Sequence, residues 1–472
     1  MNSKEQEQTK KSFLYFYCFY ALFFIVCFLI MLLIWTEYVY KDVCVEEIIF
    51  NGKTPILGTP LSFFISCFLF VIIIPTFTTI LLHYLCFRHI QKRTKIIFST
   101  IISAFFIYLI VYGLDKYEIL IYFQELRDKE NSTFYEEHYV NPKTAKIKAP
   151  TQKQNLILIY LESLENSVAH VKRGDTVENW IPELTEIAKK HGTFTNFLPG
   201  YTMGYTQGSV VASMCGIPNN YIHYGKINFK DKNNKAYAPH AYSLGQILQD
   251  HGYHNLIVKG EDRIFSCSGI FLESHGFQNA AFFKNELLHH PLNKGQIEKW
   301  GIPDKNLFKI FQEKITTLPE PFCAVIMTLS THNEPFETYD DVKKEYQYTS
   351  KNVHNFMTWL QQQPYYKRTT IIIMGDHTRM GEVYNSTSRK KRTIYNTIIH
   401  SQKTPPTYQR TCWALDLFPT ILESIGFEIE NHQLGLGISL FSTQPTFVEK
   451  LGIQEFTDQL RKRNKLYRSL WE

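Results

Sequence analysis

Cysteine is scarce in this chain, nine in 472 residues, and none are spaced as CxxC. A zinc knuckle is excluded on that ground. Cys18, Cys27, Cys67 and Cys86 sit in apolar segments and Cys44 in a loop, which leaves Cys215, Cys267, Cys323 and Cys412 in the polar remainder. Four cysteines allow three pairings, and the sequence does not choose among them. A clustered basic stripe is also missing. The net charge of +6 comes from 50 Lys and Arg against 44 Asp and Glu, spread as a mixed-charge surface, so no nucleic-acid partner is expected. No internal repeat or low-complexity tract is visible. The first apolar run has no small-x-small cleavage site and is too long for a signal-peptide core, so it reads as an uncleaved anchor.

What the chain has in abundance is aromatic and apolar side chains near its start. Aromatics make up 15% of the whole, and much of that lies in the first 125 residues. Residues 13–35, 61–87 and 96–114 contain no Asp, Glu, Lys or Arg, and each run can cross a hydrocarbon core. Pro75 is tolerable inside such a helix. Basic residues flank the N-terminus (Lys4, Lys10, Lys11) and the second connection (Arg88, Lys92, Arg93, Lys95). The first connection is richer in acid, with Glu37, Asp42, Glu46 and Glu47 against Lys41 and Lys53. Basic loops stay in the cytoplasm, so residues 1–114 read as a three-span membrane region that leaves everything after it outside. Residues 115–154 connect. Ile119, Tyr122, Phe123 and Leu126 recur at helical spacing within 115–129, for a helix lying on the membrane surface or packing on the soluble part. Residues 141–153, rich in Lys and Pro, read as a linker.

From residue 155 the chain alternates strand and helix. Extended runs are expected at 155–162, 193–198, 254–258, 322–329 and 369–375, with helices at 181–191, 206–215, 243–250, 346–362 and 414–425. That alternation argues for one α/β domain over 155–445 with a mostly parallel central sheet flanked by helices, then a helical tail at 446–472. Two strands share one grammar. Thr369-Thr370-Ile371-Ile372-Ile373-Met374 runs into Gly375-Asp376-His377, and Asn155-Leu156-Ile157-Leu158-Ile159-Tyr160-Leu161 runs into Glu162-Ser163. Open α/β sheets place ligands at strand carboxyl ends, and a carboxylate beside an imidazole there suits Zn²⁺ or Mn²⁺ better than Ca²⁺. A third piece, Gly204-Tyr205-Thr206, opens a helix. Thr206 there is either a helix cap or a nucleophile at a site whose N–H groups favour an anion.

Together these stretches resemble the alkaline phosphatase/sulfatase superfamily. More narrowly, they resemble the branch that holds lipoteichoic acid synthase, phosphoglycerol transferase I and the membrane phosphoethanolamine transferases. The resemblance rests on Leu161-Glu162-Ser163, on Thr206 with Val211-Ala212-Ser213-Met214-Cys215-Gly216-Ile217-Pro218, on Thr328-Leu329-Ser330-Thr331-His332 and on Gly375-Asp376-His377. Phe271-Leu272-Glu273-Ser274-His275-Gly276-Phe277, Leu434-Gly435-Leu436-Gly437 and Ser439-Leu440 support it. It spans residues 155–442 in the family's order. The Cys/Ser-x-Pro-x-Arg pattern of true sulfatases is absent, and Cys215 reads as packed or disulfide-bonded.

The resemblance implies an N-terminal set of transmembrane helices followed by an alkaline-phosphatase-like domain. It implies one divalent ion, Mn²⁺ or Zn²⁺ before Mg²⁺, on Glu162, Thr206, Asp376 and His377. Thr206 would be the nucleophile as well as a ligand. His332 would contact substrate phosphate or move a proton, and Arg263 would bind substrate. His275 and Asp304 read as structural. The implied protein is a monomeric, multi-pass enzyme of the bacterial inner membrane with its catalytic domain in the periplasm. It would pass a phosphoglycerol or phosphoethanolamine head group from a phospholipid donor to a glycan acceptor, a periplasmic glucan or lipopolysaccharide core. A hydrolase of the same fold and a non-catalytic glycan sensor are the alternatives.

Overall fold

Runs too apolar for a water-facing surface fold here as helices long enough to cross a bilayer. The computed structural model describes residues 3–54, 59–82, 84, 92–127, 132–220, 237–293, 300–381, 383–384, 387 and 389–472. Among the described residues, the helices ahead of the α/β part are α1 (Ser3–Tyr40), α2 (Val45–Lys53), α3 (Leu61–Leu82), α4 (Lys92–Lys116), α5 (Ile119–Arg127) and a short one at Phe134–His138. Tyr17–Tyr40, Leu61–Leu82 and Ile96–Lys116 are each long and apolar enough to span a membrane. Arg88 and the expected end of the second span at 87 lie outside the described residues, as does Lys129.

The chain divides into two compact units. The first comprises Met1–Val45 and Pro60–Gln124, and the second Glu46–Thr59 and Glu125–Glu472. Within the first, Phe19, Val26, Ile102 and Leu109 pack together, and Phe64, Ile65, Phe68, Ile101 and Phe105 stay exposed, as lipid-facing side chains should. Lys116 pairs with Glu37 at 2.6 Å. Pro75 explains a local irregularity in α3. Its ring would clash with the carbonyl four residues back, at Val71, and a π turn at Leu69–Ile73 relieves that clash. Thr79 donates back to the Pro75 carbonyl at 2.7 Å.

The second unit is built on a sheet of six strands: β1 (Asn155–Leu161), β2 (His254–Lys259), β3 (Asn279–Phe282), β4 (Phe322–Met327), β5 (Thr369–Gly375) and β6 (Asn396–Ile399). Their spatial order is β6-β5-β1-β4-β2-β3. Strand β1 pairs in parallel with β5 and β4, and β2 in parallel with β4 and β3. The edge strand β6 runs antiparallel to β5. Every residue of β1, β4 and β5 is buried, as continuous apolar strands require. Alternate side chains serve the two faces. Ile157, Ile159 and Leu161 join a core with Trp180, Phe308, Phe311 and Phe356. On the other face the Tyr160 hydroxyl meets Ser213 Oγ at 2.9 Å.

Ser213 belongs to α6 (Thr206–Cys215), which Gly216 ends in the left-handed conformation at φ 65°. The opposite face is covered by α7 (Asp304–Thr316) and α8 (Tyr339–Leu360), whose Phe308 and Phe311 rings lie 5.3 and 5.6 Å from Phe356. The linker expected at 141–153 carries a short strand, Ile147–Lys148, paired antiparallel with Glu428–Ile429. The tail at 446–472 forms the short helices Phe447–Leu451, Ile453–Arg461 and Lys465–Ser469. Cys215, Cys267, Cys323 and Cys412 are buried free thiols, and burial raises each of them.

Candidate active site

Register brings the site together. Leu161 lies opposite Gly375 and Tyr160 opposite Met327, so β1, β5 and β4 end at one edge, and Glu162, Asp376 and Thr328 leave it side by side. Backbone bonds continue the ladder past the strands: Asp376 N–H donates to Leu161 O at 3.2 Å and Thr328 N–H to Tyr160 O at 2.9 Å. Gly375 is required by a close approach, since a Cβ there would lie 1.9 Å from the Leu164 carbonyl. Ser163 adopts φ 52°, turning its N–H onto Asp376 Oδ1 at 2.8 Å. Its hydroxyl donates to Glu162 Oε1 at 2.8 Å.

One ligand atom from each of Glu162, Asp376 and His377 lies within 4.8 Å of the others. His377 Nε2 is 3.4 Å from Glu162 Oε1 and 3.6 Å from Asp376 Oδ2. Its Nδ1 faces the Thr378 carbonyl at 2.9 Å, which fixes the ring with Nε2 pointing inward. Thr206 approaches from the first turn of α6. Its hydroxyl donates to Glu162 Oε2 at 3.1 Å and lies 3.4 Å from His377 Nε2. The cap position belongs to Tyr205, with no side-chain cap bond, so the Thr206 hydroxyl is turned to the acidic cluster and not to the helix backbone. Gly208 permits this placement, because a Cβ there would meet the Thr202 carbonyl at 1.8 Å.

The electrostatics describe a cluster short of positive charge. Burial raises the Asp376 carboxyl, and the neighbouring Glu162 charge raises it further, to about 7. Burial works against the charged form of His377, but Asp376 and Glu162 outweigh it and hold the imidazole at about 9. For Glu162 burial is again the largest influence, upward, yet His332 and His377 reverse it and leave the carboxyl well below its ordinary range. Two carboxylates that repel each other, joined by the Thr206 hydroxyl and one imidazole nitrogen, suit a divalent cation.

His332 faces the same cluster electrostatically, as its influence on Glu162 shows. Its ring packs on Trp300 with centroids 3.8 Å apart. The loop that carries it is pinned by Asp304, which accepts from Leu329 N–H at 2.8 Å, Ser330 N–H at 3.1 Å and Thr349 Oγ1 at 2.7 Å. His275 is buried between the Phe271 and Ala238 carbonyls, at 2.8 and 3.2 Å. Arg263 is not brought to the cluster's hydrogen bonds. It forms a two-pronged pair with Glu273, Nε to Oε1 at 2.7 Å, so a role on substrate requires that pair to open.

Several supporting residues carried no signal in the sequence. Buried Arg379 ties the metal-type loop to the His332 loop: its N–H donates to Glu165 Oε2 at 3.0 Å and its Nη1 to the Thr331 carbonyl at 2.8 Å, while its Nη2 meets Glu337. Arg392 completes the frame, donating to Glu165 Oε2 and to the Arg379 carbonyl, both at 2.8 Å. Lys259, at the end of β2, is buried with Glu261 and donates to Ser268 Oγ at 2.7 Å. Each role depends on strand ends meeting, which no local pattern encodes.

Comparison with known proteins adds a second line. Phosphoglycerol transferase I of Salmonella choleraesuis (strain SC-B67) is 28% identical over 248 residues, 49% of this chain and 32% of that protein. Phosphoglycerol transferase I of Shigella flexneri is 27% identical over 333 residues, 65% of this chain and 42% of that protein. The chain thus spans less than half the length of these curated relatives. A solved protein of the alkaline phosphatase superfamily from Vibrio parahaemolyticus superposes with a TM-score of 0.49 at 19% identity, covering 70% of this chain and 79% of that one. The family model described as Sulfatase matches residues 154–427, a stretch that holds all of Glu162, Thr206, His332, Asp376 and His377. With more than half of its length matched by that model, the chain belongs to the sulfatase family.

Proposed function

We propose that this chain is a membrane-anchored, metal-dependent phosphotransferase. It moves a phospholipid head group, phosphoglycerol or phosphoethanolamine, onto a hydroxyl of an extracytoplasmic glycan, a periplasmic glucan or a lipopolysaccharide core. The observation that carries this reading is the Thr206 hydroxyl, half-buried at a helix start and within hydrogen-bonding reach of Glu162 and His377. The likeness to phosphoglycerol transferase I supports the reaction class.

Glu162, Thr206, Asp376 and His377 would hold the cation, Mn²⁺ or Zn²⁺. When bound it would supply Lewis acidity, making Thr206 more readily deprotonated and offsetting charge on phosphorus oxygens. Glu162 orients the Thr206 Oγ1–H bond. Thr206 Oγ1 then attacks phosphorus in line. The new Oγ1–P bond forms as the bond from phosphorus to diacylglycerol oxygen breaks, and diacylglycerol leaves carrying the proton that Thr206 lost. The N-terminal N–H groups of α6 face the phosphothreonine that results. An acceptor hydroxyl attacks it in turn, forming a P–O–glycan bond as the Oγ1–P bond breaks, and the proton the acceptor loses returns to Thr206 Oγ1. His332, held by Trp300 and the Asp304-pinned loop, stabilises charge on the transferring phosphate or carries its proton. The three apolar helices keep the catalytic unit at the surface that holds the donor, which raises its effective concentration.

The placement proposed is the bacterial inner membrane with the catalytic unit in the periplasm. Basic flanks on the cytoplasmic side support it. The compact unit agrees with the count of spans: Glu46–Thr59, from the connection between the first two spans, folds with Glu125–Glu472. Two spans separate these segments, an even number, so both emerge on one side.

The test uses the full chain in mixed micelles of detergent with phosphatidylglycerol or phosphatidylethanolamine, with and without glucan or lipopolysaccharide core sugar. A transferase yields a phosphorylated glycan and diacylglycerol in equal amounts. Diacylglycerol release unaffected by any acceptor would make the protein a hydrolase. No turnover with either lipid, and no metal bound, would leave the sensor reading.

A further inference from the structure

We propose that α2, the helix between the first two membrane spans, is a positioning element of the catalytic site, in which Glu47 holds Arg389 on the turn that presents Thr206. The inference rests on Thr206 as the reacting group proposed above.

A connection between spans needs only to be polar and long enough. This one buries several of its charges instead. Glu46 and Glu47, in the first turn of α2, are buried along with Phe50 and Thr54, while Ile48 on the other side is 41% exposed. Burying adjacent carboxylates is unfavourable unless each finds a partner, and both do within the catalytic unit. Glu47 Oε2 lies 3.6 Å from Arg389 Nη1. Glu46 Oε1 lies 3.3 Å from Arg461 Nε and accepts from the Tyr201 hydroxyl at 3.3 Å. Arg461 in turn stacks over the Tyr201 ring at 5.3 Å.

These contacts converge on the turn that leads into α6. Arg389, itself buried, donates its Nη2 to the Gly204 carbonyl. The Glu47 carboxylate packs so closely on Gly204 that a Cβ there would lie 2.5 Å from its Oε1. The Phe50 ring sits 4.9 Å from the ring of Tyr205, the residue before Thr206. Residues 201 to 205 are therefore gripped by Glu46, Glu47 and Phe50, and the next residue carries the reacting oxygen. Without the Glu47 charge, the buried Arg389 guanidinium loses the carboxylate that faces its Nη1, and its hold on the Gly204 carbonyl loosens. A shift of about 1 Å in a reacting group costs on the order of 10²-fold in rate. The segment between the first two spans so becomes part of the catalytic geometry, and Glu47 and Arg389 are positioning residues that do not touch the substrate.

The experiment compares full-length Glu47→Ala, Glu47→Gln, Ile48→Ala and Thr206→Ala in mixed micelles with the better phospholipid donor, reading kcat, KM, bound metal and thermal unfolding. Glu47→Ala should lose about tenfold or more in kcat, by misplacement of the turn, with KM and metal content within about twofold of the unaltered chain. Glu47→Gln keeps an acceptor for Arg389 and should fall between the two. Ile48→Ala should match the unaltered chain. A kcat within twofold in Glu47→Ala, or a loss that merely follows lost metal or lost folded protein, overturns the proposal. Should Glu47→Ala fail to fold, the near-isosteric Glu47→Gln decides alone, and an unchanged kcat there overturns it. Turnover by Thr206→Ala would instead overturn the nucleophile reading, which keeps the two failures apart.

Discussion

Glu162 and Asp376 are both buried at adjacent strand ends, and close carboxylates resist double ionisation unless a cation joins them. Binding a divalent ion to the folded chain should therefore raise its stability by about 3 kcal/mol when the ion is at a hundred times its dissociation constant. Asp376→Asn removes one ligand charge and should abolish that gain, with activity lost in parallel. Thermal unfolding with and without added Mn²⁺ or Zn²⁺ checks this, and equal stabilisation of both proteins would remove Asp376 from the ligand set. His332→Ala should behave differently, keeping metal while losing about 10²-fold or more in kcat. A fourth residue gives a pH signature. Burial holds His275 at about 4 in the folded chain, below its ordinary 6.5. The unfolded chain then takes up a proton that the folded chain refuses, so stability from this group is present above about 6.5 and lost as pH falls toward about 4, by about 2–3 kcal/mol. His275→Gln removes that contribution, so its stability gap from the unaltered chain should narrow between pH 7.5 and pH 5. A constant gap would contradict the assignment.

At the scale of elements, strand ends locate the chemistry and glycines let them approach. Gly375→Ala would drive a methyl group into the Leu164 carbonyl and Gly208→Ala into that of Thr202. The first should weaken metal binding by displacing Asp376 and His377. The second should spare the metal-type acids and lower kcat by shifting Thr206, again on the order of 10²-fold for about 1 Å. Metal titration alongside turnover separates them. The continuous apolar runs of β1, β4 and β5 were readable because burial on both faces leaves no room for polar alternation. So were α6 and its stop, from Gly216. The four-residue strands β3 and β6 were not, because so short a run has no period to detect. Helix α8 begins at Tyr339, seven residues ahead of the expected 346, and Thr338 with Asp341 forms its capping box, a local signal the apolar spacing concealed. Within the site, the metal-type residues and Thr206 were legible from their positions after strands and before a helix. Ser163, Arg379, Arg392 and Arg389 were not, since each acts on a residue distant in sequence.

At the scale of the whole molecule, the three apolar helices and the catalytic unit make one functional object only if they share a bilayer surface. A phosphatase reporter fused after Lys116 should be active outside the cytoplasm, and one fused after Arg93 inactive. The reverse pattern would put the site away from any extracytoplasmic glycan. The central claim is covalent transfer through Thr206. Full-length protein in micelles with phospholipid donor and no acceptor should be quenched, digested and weighed by mass spectrometry. The peptide containing Thr206 should gain the mass of one phosphoryl head group, and later addition of a competent glycan should remove it. A protein that turns over lipid while that peptide never gains mass, and whose Thr206→Ala form still works, would contradict the account and point to direct attack by the acceptor.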